Sequence, residues 1–220
     1  MSVDSTEPVP ERLVNAAIKL LREQGPSAIK ARTVAAECDL STMVVYHHFG
    51  GVAELVTAVV AAGFTEFDRA FAAVPDTDDP VTDLFVMALA VRDLARANPH
   101  LYDLMFGLST RSTYRPATET EGRLSGHSPE FRHAYAQIVD TCARLVKTGR
   151  VHPIAPEIVA AQLWSFVHGY VTLELSDHFA DFTDPVAEVF LPTGVNICVG
   201  LGDDPERARA SHEATGILSS

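Results

Sequence analysis

The sequence predicts an all-α protein that is built from two helical units. Apolar residues recur at helical spacing in segment after segment, and no convincing alternating pattern of the kind that marks a strand lies between them. Residues 10–51 hold three short predicted helices, and a longer one follows. A stretch rich in Asp and Pro at residues 74–81 then breaks the pattern. This order predicts a small N-terminal unit and a larger C-terminal unit.

The first predicted helix runs from Pro10 to Gln24. Its apolar residues follow an i, i+3, i+4, i+7, i+8 pattern, which gives an amphipathic helix one stripe for burial. That stripe consists of Leu13, Ala16, Ala17, Leu20 and Leu21. A Gly-Pro pair directly after the last helical residue ends the helix.

The next two helices form a pair that is joined by a tight turn. They are predicted over residues 31–38 and 42–49, with Asp39 in a left-handed turn conformation and Ser41 as the N-cap of the second helix. A helix–turn–helix of this kind inserts its second helix into the major groove of DNA. Residues 11–51 are therefore predicted to form a helix-turn-helix DNA-binding domain.

The expected DNA contacts lie mainly on the third helix. Ser41, Thr42 and Met43 would face base edges, whereas Tyr46 and one of the two adjacent histidines would lie near phosphates. Val45 is expected to point inward. The full set of expected DNA contacts is Lys30, Arg32, Thr33, Ser41, Thr42, Met43, Tyr46, His47 and His48.

Other interpretations of these residues remain open. His47 and His48 could belong to a solvated surface, and Tyr46 could be a core aromatic with its hydroxyl at the edge. A metal site is not expected, because side chains of adjacent helical residues point about 100° apart and cannot chelate together. No cofactor is expected either.

The charge distribution favours the N-terminal unit as the DNA-binding part. The chain carries a net charge of -12, but a binding face need only be locally favourable. Residues 11–51 hold five basic and four acidic residues, so this segment carries +1 and the rest of the chain carries -13. The N-terminal segment is thus the part that repels a polyanion least.

Cysteine spacing and hydropathy set the expected compartment. The three cysteines stand alone without a CxxC spacing, which favours neither a disulfide framework nor a zinc site. The N-terminus lacks the pattern of an export signal, and no run of eighteen apolar residues is present. We expect a cytoplasmic protein with no membrane span.

The N-terminal segment resembles the DNA-binding domain of the tetracycline repressor (TetR) family of bacterial transcription regulators. The resemblance covers about residues 11–60 and rests on Gly25, Val34-Ala35, Leu40-Ser41, Tyr46-His47-His48-Phe49 and Glu54-Leu55. It implies a linking helix, here residues 52–73, and a helical domain, here residues 80–202, that binds an effector and dimerises. Many members carry a basic residue in place of Val52, which implies that this chain lacks one phosphate contact.

Helical patterns in the C-terminal unit recur over residues 81–97, 100–108, 129–148, 155–179 and 184–200. Pro192 should kink or divide the last of them. The helix over residues 155–179 is apolar nearly all round, so a second subunit is expected to cover one of its faces in a homodimer.

Three segments are expected to lie outside the helices. The polar segment 110–128 is expected to form a mobile or functional loop. Residues 1–10 are expected to be a flexible N-terminus, and residues 203–220 a partly disordered tail.

The effector site is predicted from composition and from the same family. Trp164, His168-Gly169 and Leu173-Glu174 resemble a pattern of one C-terminal subgroup, which implies that this helix lies near the effector cavity. Pockets are mostly apolar with a few polar groups, although such side chains at helical spacing more often pack in a core than line a pocket. The candidate effector contacts are Met87, Met105, Phe106, Trp164, His168, Tyr170 and Glu174.

Together these features favour a DNA-binding transcriptional regulator. It would be a repressor that a small hydrophobic or aromatic effector releases from a near-palindromic operator in double-stranded DNA. One alternative is a helix-turn-helix regulator that is constitutive or controlled by a partner. An all-helical enzyme is disfavoured, because the chain has no phosphate-binding glycine loop, HExxH, GxSxG or paired Cys/His spacing.

Overall fold

The computed structural model describes residues 7–106 and 128–215, and it confirms the all-α prediction. The described part of the chain holds α1 (Val9–Gln24), α2 (Ala31–Glu37), α3 (Thr42–Phe49), α4 (Val52–Ala72), α5 (Pro80–Ala97), α6 (Pro99–Phe106), α7 (Pro129–Lys147), α8 (Pro156–Leu175), α9 (Leu191–Gly200) and α10 (Pro205–Glu213). A 3₁₀ turn (Pro26–Ala28) precedes α2, and a π-helical turn (Val186–Phe190) precedes α9.

The chain divides into two compact units. Among the described residues, unit 1 comprises residues 7–66, 97–106 and 128–132, and unit 2 comprises residues 67–96 and 133–215. The long helix α4 belongs to both, because the division falls between Glu66 and Phe67.

Most predicted helix ends agree with the structure within two residues, and α3 agrees at both ends. One difference is at α8, which ends at Leu175 rather than at residue 179. There Asp177 adopts a left-handed conformation with φ 58°, and the next amide N–H donates back to the carbonyl of Leu173 at 3.0 Å. This turn closes the helix before its apolar pattern ends. The predicted loop at residues 110–127 and the end of the helix predicted to residue 108 lie outside the described residues.

The turn between α2 and α3 is a Schellman motif with aspartate in the position that glycine usually holds. Asp39 has φ 57°, which confirms the predicted left-handed conformation. The amide of Leu40 donates to the carbonyl of Ala35 at 2.9 Å, and the amide of Asp39 donates to that of Ala36 at 3.1 Å. These two bonds satisfy the last carbonyls of α2 and fix the direction in which α3 leaves.

Contacts from two residues of α1 hold this turn in place. Nη2 of Arg12 donates to the carbonyl of Cys38 at 2.9 Å, and the thiol of Cys38 donates to the carbonyl of Arg12 at 3.4 Å. Nζ of Lys19 pairs with Glu37 at 2.5 Å. Two of the basic residues in this segment therefore serve the fold of unit 1 rather than its free surface.

The core of unit 1 also joins α4 to α6. Gly63 makes this possible, because a Cβ there would overlap Sδ of Met105. Beside it, the ring of Phe64 contacts the rings of Phe106 and Phe131, with centroid distances of 5.7 and 5.3 Å. Met105 is buried in this core.

Unit 2 places α5, α8 and α9 around a second apolar core. The rings of Phe85 and Phe190 lie 5.4 Å apart, and Phe190 also stacks on Phe166 at 5.0 Å. The last helical pattern is divided, as Pro192 predicts: the π-helical turn ends at Phe190, and Pro192 then stands in the first turn of α9. A proline is tolerated there because first-turn amides have no partner within the helix.

The prediction of a partly disordered tail is wrong for the part that the structure describes. Residues 205–213 form α10, and the side chain of Asp204 accepts hydrogen bonds from the amides of Glu206 and Arg207 at 3.0 and 2.9 Å. An aspartate N-cap followed by proline is a strong start signal for a helix. Residues 216–220 lie outside the described part.

A buried arginine ties α10 to the rest of unit 2. Arg150, just after α7, donates from Nε and Nη2 to the carboxylate of Asp203 at 2.6 to 3.2 Å. Its Nη1 pairs with Asp79, before α5, and its Nη2 also donates to the hydroxyl of Ser211 on α10 at 2.9 Å. That hydroxyl donates in turn to Asp79 at 2.6 Å. We call Asp79, Arg150, Asp203 and Ser211 the Arg150 cluster.

Charge pairing keeps the acids of this cluster ionised. Burial raises the pKa of Asp203, but hydrogen bonds from Arg150 and Arg207 outweigh burial and hold the pKa below its ordinary value. The same holds for Asp79, where burial is outweighed by Ser211 and Arg150.

Among the described residues, no single helix is long and apolar enough to cross a membrane. Only α3 and α4 taken together reach that length and composition, and they are bent by 70° at their junction.

Removing the cation of the Arg150 cluster should destabilise the protein strongly. Arg150→Met leaves the carboxylates of Asp79 and Asp203 close together without the cation that they share. We expect the free energy of unfolding to fall by about 3–5 kcal/mol, measured by urea denaturation. Arg209→Met, at an exposed position of α10, removes the same charge and should leave stability nearly unchanged. Equal stability of the two variants would contradict the role given to Arg150.

Candidate DNA interface and effector cavity

One face of α3 is buried and the other is exposed. Val45 is fully buried, as predicted, and Phe49 is half-buried. On the opposite face Met43 is 70% exposed and Tyr46 is 48% exposed, which is unusual for side chains of this size. The core interpretation of Tyr46 therefore does not hold. An exposed apolar and aromatic face on a two-turn helix is a surface suited to contact a partner.

The start of α3 has no side-chain cap. Ser41 stands at the N-cap position with an extended backbone, but its hydroxyl makes no cap hydrogen bond, contrary to the expectation that Ser41 caps the helix. The side chain of Ser41 is exposed and that of Thr42 is half-buried. First-turn amides without a capping side chain remain able to donate to an anion.

Free basic charge in unit 1 is concentrated near α2. Lys30 and Arg32 are exposed at its start and form no ion pair with a described residue. The hydroxyl of Thr33 donates to the carbonyl of Ala28 at 2.6 Å, so its first role is to hold the turn before α2. Lys30 and Arg32 are thus the predicted contacts whose charge is free for phosphate.

His47 and His48 are both exposed at the end of α3. Their rings meet edge to face with centroids 4.9 Å apart, so the two imidazoles diverge from each other. Within the described ranges, no group of three or more His, Cys, Asp and Glu side chains is placed to hold a metal ion.

The junction between α3 and α4 is made by two glycines. Gly50 has φ 81° and donates to the carbonyl of Tyr46 at 2.9 Å, which ends α3. Val52 begins α4 directly afterwards and is half-buried. The first residue of α4 therefore presents an apolar side chain beside the exposed end of α3.

Unit 2 contains an apolar cavity of about 50 Å³. Its walls come from α4, α5, α7, α8, α9 and α10, and they include Phe71, Phe85, Met87, Trp164, Phe166 and His212. Among the described residues that line it, none carries a carboxylate, an ammonium or a guanidinium group. The cavity suits an uncharged, apolar molecule.

The predicted effector contacts do not all come together at this cavity. Met87 and Trp164 line it. Met105 and Phe106 belong to unit 1, where they pack against α4. The sequence pattern could not separate the two sets, because all four are apolar residues at helical spacing.

Glu174 lies in a different concavity of unit 2, an open groove of about 460 Å³ that it shares with Arg92, Arg96, Phe179 and Phe182. Its carboxylate is paired, since Nε and Nη2 of Arg92 donate to it at 2.6 to 3.0 Å. The carboxylate of Glu174 is therefore neutralised within unit 2 by Arg92.

Tyr170 and His168 are packed on α8. Tyr170 is buried and lies against Phe179 and Phe190, with ring centroids 5.0 and 4.4 Å away. Burial and the nearby Glu174 charge raise the pKa of Tyr170 to about 12. The ring of His168 contacts that of Trp164 at 4.1 Å, and burial lowers the pKa of His168 to about 3. Both side chains are therefore uncharged at neutral pH.

Sequence reasoning missed several lining residues, above all His212. It is 3% exposed, and its ring lies 4.4 Å from that of Phe85. A signal was present, because Asp204-Pro205 marks a helix start and Ala208, Ser211 and His212 then follow the spacing of a buried stripe.

Comparisons with known proteins agree with this geometry. Residues 13–59 match the family model "Bacterial regulatory proteins, tetR family", and residues 84–191 match the model "Tetracyclin repressor-like, C-terminal domain". Together the two matches span well over half of the chain. No curated protein matches it by sequence.

Several solved structures share the fold. A protein of unknown function from Rhodococcus sp. RHA1 has a TM-score of 0.75 at 18% identity, over 92% of this chain and 100% of that one. The structure of RolR without ligand has a TM-score of 0.65 at 14% identity, over 92% of this chain and 96% of that one. A putative tetR family regulator from Shewanella sp. PV-4 has a TM-score of 0.57 at 16% identity, over 97% of this chain and 98% of that one.

The N-terminal match covers α3, which exposes Met43 and Tyr46, and the C-terminal match covers most of the residues around the apolar cavity. The chain therefore belongs to the TetR family of DNA-binding transcriptional regulators.

Proposed function

We propose that this regulator is a homodimeric repressor, which a small uncharged effector in the unit 2 cavity releases from a near-palindromic operator. The exposed face of α3 carries the proposal. Met43 and Tyr46 have no role in the core of unit 1, and the uncapped start of α3 offers amides to phosphate. Lys30 and Arg32 add positive charge close by in sequence.

The cavity supports control by a small molecule. At about 50 Å³ it is smaller than the roughly 150 Å³ apolar cavity that accepts benzene. An effector of that size must therefore move the walls apart, and it would favour whichever state has the larger cavity. RolR, one of the structural neighbours, has also been solved in complex with resorcinol.

We infer that α4 carries the effect, because the same helix contributes Phe71 to the cavity wall and begins at Val52 beside α3. The pattern of Trp164, His168-Gly169 and Leu173-Glu174 supports membership of the C-terminal subgroup that it resembles.

The same small volume favours one alternative, a regulator that has no small-molecule control. A panel of effectors that shifts neither DNA affinity nor thermal stability would support that alternative.

Homodimerisation is supported by the free face of α8. Ile158 is 49% exposed and Leu173 is 42% exposed at its two ends, and exposed small residues, Ala161, Ser165 and Gly169, lie on the same face between them. Such a face lets a second helix approach closely and bury both large side chains. Two recognition helices placed by a dimer would reach major grooves about 34 Å apart.

DNA binding is tested directly with Met43→Glu. The change places a negative charge on the exposed face of α3 without touching the core, so operator affinity should fall by roughly tenfold or more. Fluorescence anisotropy with DNA flanking the gene measures it. Ala136→Glu, on the exposed side of α7, gives the same net charge and should bind like the wild type. If wild-type protein shows no site-selective, salt-dependent binding, the proposed function is wrong.

Val52→Lys should strengthen DNA binding. A lysine at the first residue of α4 would add one phosphate contact, which makes the slope of log affinity against log salt steeper by about 0.9. Salt titrations of operator binding measure both affinity and slope. Ala136→Lys is the control for net charge, and it should change neither quantity as much. An unchanged slope for Val52→Lys would mean that the start of α4 does not face DNA.

Gly169→Arg should disrupt the dimer while leaving the subunit folded. A Cβ at Gly169 would meet nothing within 4 Å, so a side chain fits in the single chain and can clash only with a partner. We expect a monomer by sedimentation velocity, with operator binding lost. Ala136→Arg should remain a dimer. A dimeric Gly169→Arg protein would exclude this face of α8 as the interface.

A further inference from the structure

The cavity of unit 2 holds one well-defined hydrogen-bond acceptor. Nδ1 of His212 lies 2.6 Å from the carbonyl oxygen of Ala208, one turn earlier in α10. A carbonyl oxygen only accepts, so the proton of the imidazole must be on Nδ1. Nε2 then carries a lone pair and is free to accept.

The imidazole stays neutral in this position. Burial lowers the pKa of His212, and this effect outweighs the opposing influence of the Ala208 carbonyl and of Asp79. The neutral ring has the acceptor on Nε2 at the pH of the cell.

Nothing in the described chain uses this acceptor. The Nε2 atom makes no hydrogen bond with any described residue, although the side chain of His212 is 97% buried, being 3% exposed. It faces Gly194 on α9, where a Cβ would come within 2.8 Å of Nε2 and 3.1 Å of Cε2 of Phe85. The missing side chain of Gly194 lets the rings of His212 and Phe85 pack close to α9. His212 lines the cavity, so a ligand there that supplies a donor can form a hydrogen bond with Nε2.

The other side chains of the cavity wall favour an uncharged aromatic ligand. Phe71, Phe85, Trp164 and Phe166 are aromatic, and none of the described residues in the wall carries a charged group. A flat ring can be stacked or met edge-on by such side chains. A carboxylate or an ammonium group would be buried here without a partner of opposite charge.

We infer that the effector is an uncharged phenol-type molecule whose aromatic ring lies among Phe85, Trp164 and Phe166 and whose hydroxyl donates to Nε2 of His212. This inference rests on the proposed function in one respect, that the effector occupies the unit 2 cavity. It adds the class of molecule and the residue that recognises its polar group.

Two matched probes test the inference on the wild-type protein. 4-Ethylphenol carries a hydroxyl donor, and 4-ethylanisole has the same ring and alkyl chain without the donor. Trp164 is the only tryptophan in the chain and lines the cavity, so its fluorescence reports binding directly. Excitation at the red edge of the indole band avoids absorption by the phenol. We expect 4-ethylphenol to bind roughly five- to tenfold more tightly, since one otherwise unmet acceptor is satisfied.

Three variants test whether His212 causes the preference for 4-ethylphenol over 4-ethylanisole. His212→Phe keeps a ring beside Phe85 but has no acceptor, and it should bind the two probes equally. His212→Gln offers Oε1 as an acceptor and should keep part of the preference for the phenol. Met87→Leu alters the same wall without changing its polar groups and should keep all of it. Thermal unfolding verifies that each variant is folded.

The outcomes are distinct from those of the DNA experiment. Equal binding of both probes to the wild type, no binding of either, or a preference that persists in His212→Phe would overturn the inference. None of these results changes the operator affinity measured without effector. Loss of the proposed function would instead appear as absent site-selective DNA binding, whatever the two probes do.

Discussion

The Arg150 cluster is the interaction on which the architecture of unit 2 depends. One buried guanidinium binds a carboxylate before α5, another before α10 and a hydroxyl on α10. These groups lie up to 132 residues apart in the chain, as Ser211 and Asp79 do. A buried ion pair of this kind adds little net stability over an apolar contact, but it is strongly unfavourable when one partner is missing. It therefore acts mainly to specify one arrangement of the helix ends.

That arrangement decides which atoms line the cavity. α10 has few apolar residues, and its buried side is limited to Ala208, Ser211 and His212. Without the bonds to Arg150 and without the Asp204 cap, so polar a helix would pack only weakly against the rest of unit 2. Because it docks, an imidazole closes a wall that is otherwise apolar. The Arg150 cluster and the acceptor thus meet on the same short helix, at the adjacent residues Ser211 and His212.

The sequence predicted the fold well where structure is local. The helix–turn–helix follows from apolar spacing, from the tolerance of Asp39 for a left-handed backbone and from the glycines after α3, all of which act within a few residues. The stretch 203–215 was misjudged because its polar composition received more weight than the Asp204-Pro205 start signal. Ser41 was placed correctly as the residue before α3, yet whether its hydroxyl bonds to the backbone depends on a rotamer that no pattern encodes.

The site was harder to predict, because pockets are made by residues that are distant in sequence. Periodicity shows that Met87, Met105 and Trp164 are apolar and face inward, but not that Met105 fills a gap at Gly63 in unit 1 while the other two line a cavity. The partner of Glu174 lies 82 residues away. His212 became a candidate only once its ring was seen beside Phe85 and Gly194.

Because the cavity is small, the effector concentration that the protein can detect is linked to the stability of unit 2. For the proposed effector, a substitution that shortens a side chain in the wall lowers the work of entering the cavity, so that a lower effector concentration suffices. The same substitution removes packing that stabilises unit 2. The same few methylene groups in the cavity wall therefore set both the sensitivity to effector and the thermal stability of unit 2. A change that raises one of these quantities lowers the other. A lineage selected to sense traces of its effector should carry a looser and less durable unit 2, while the residues that read DNA stay free to change independently.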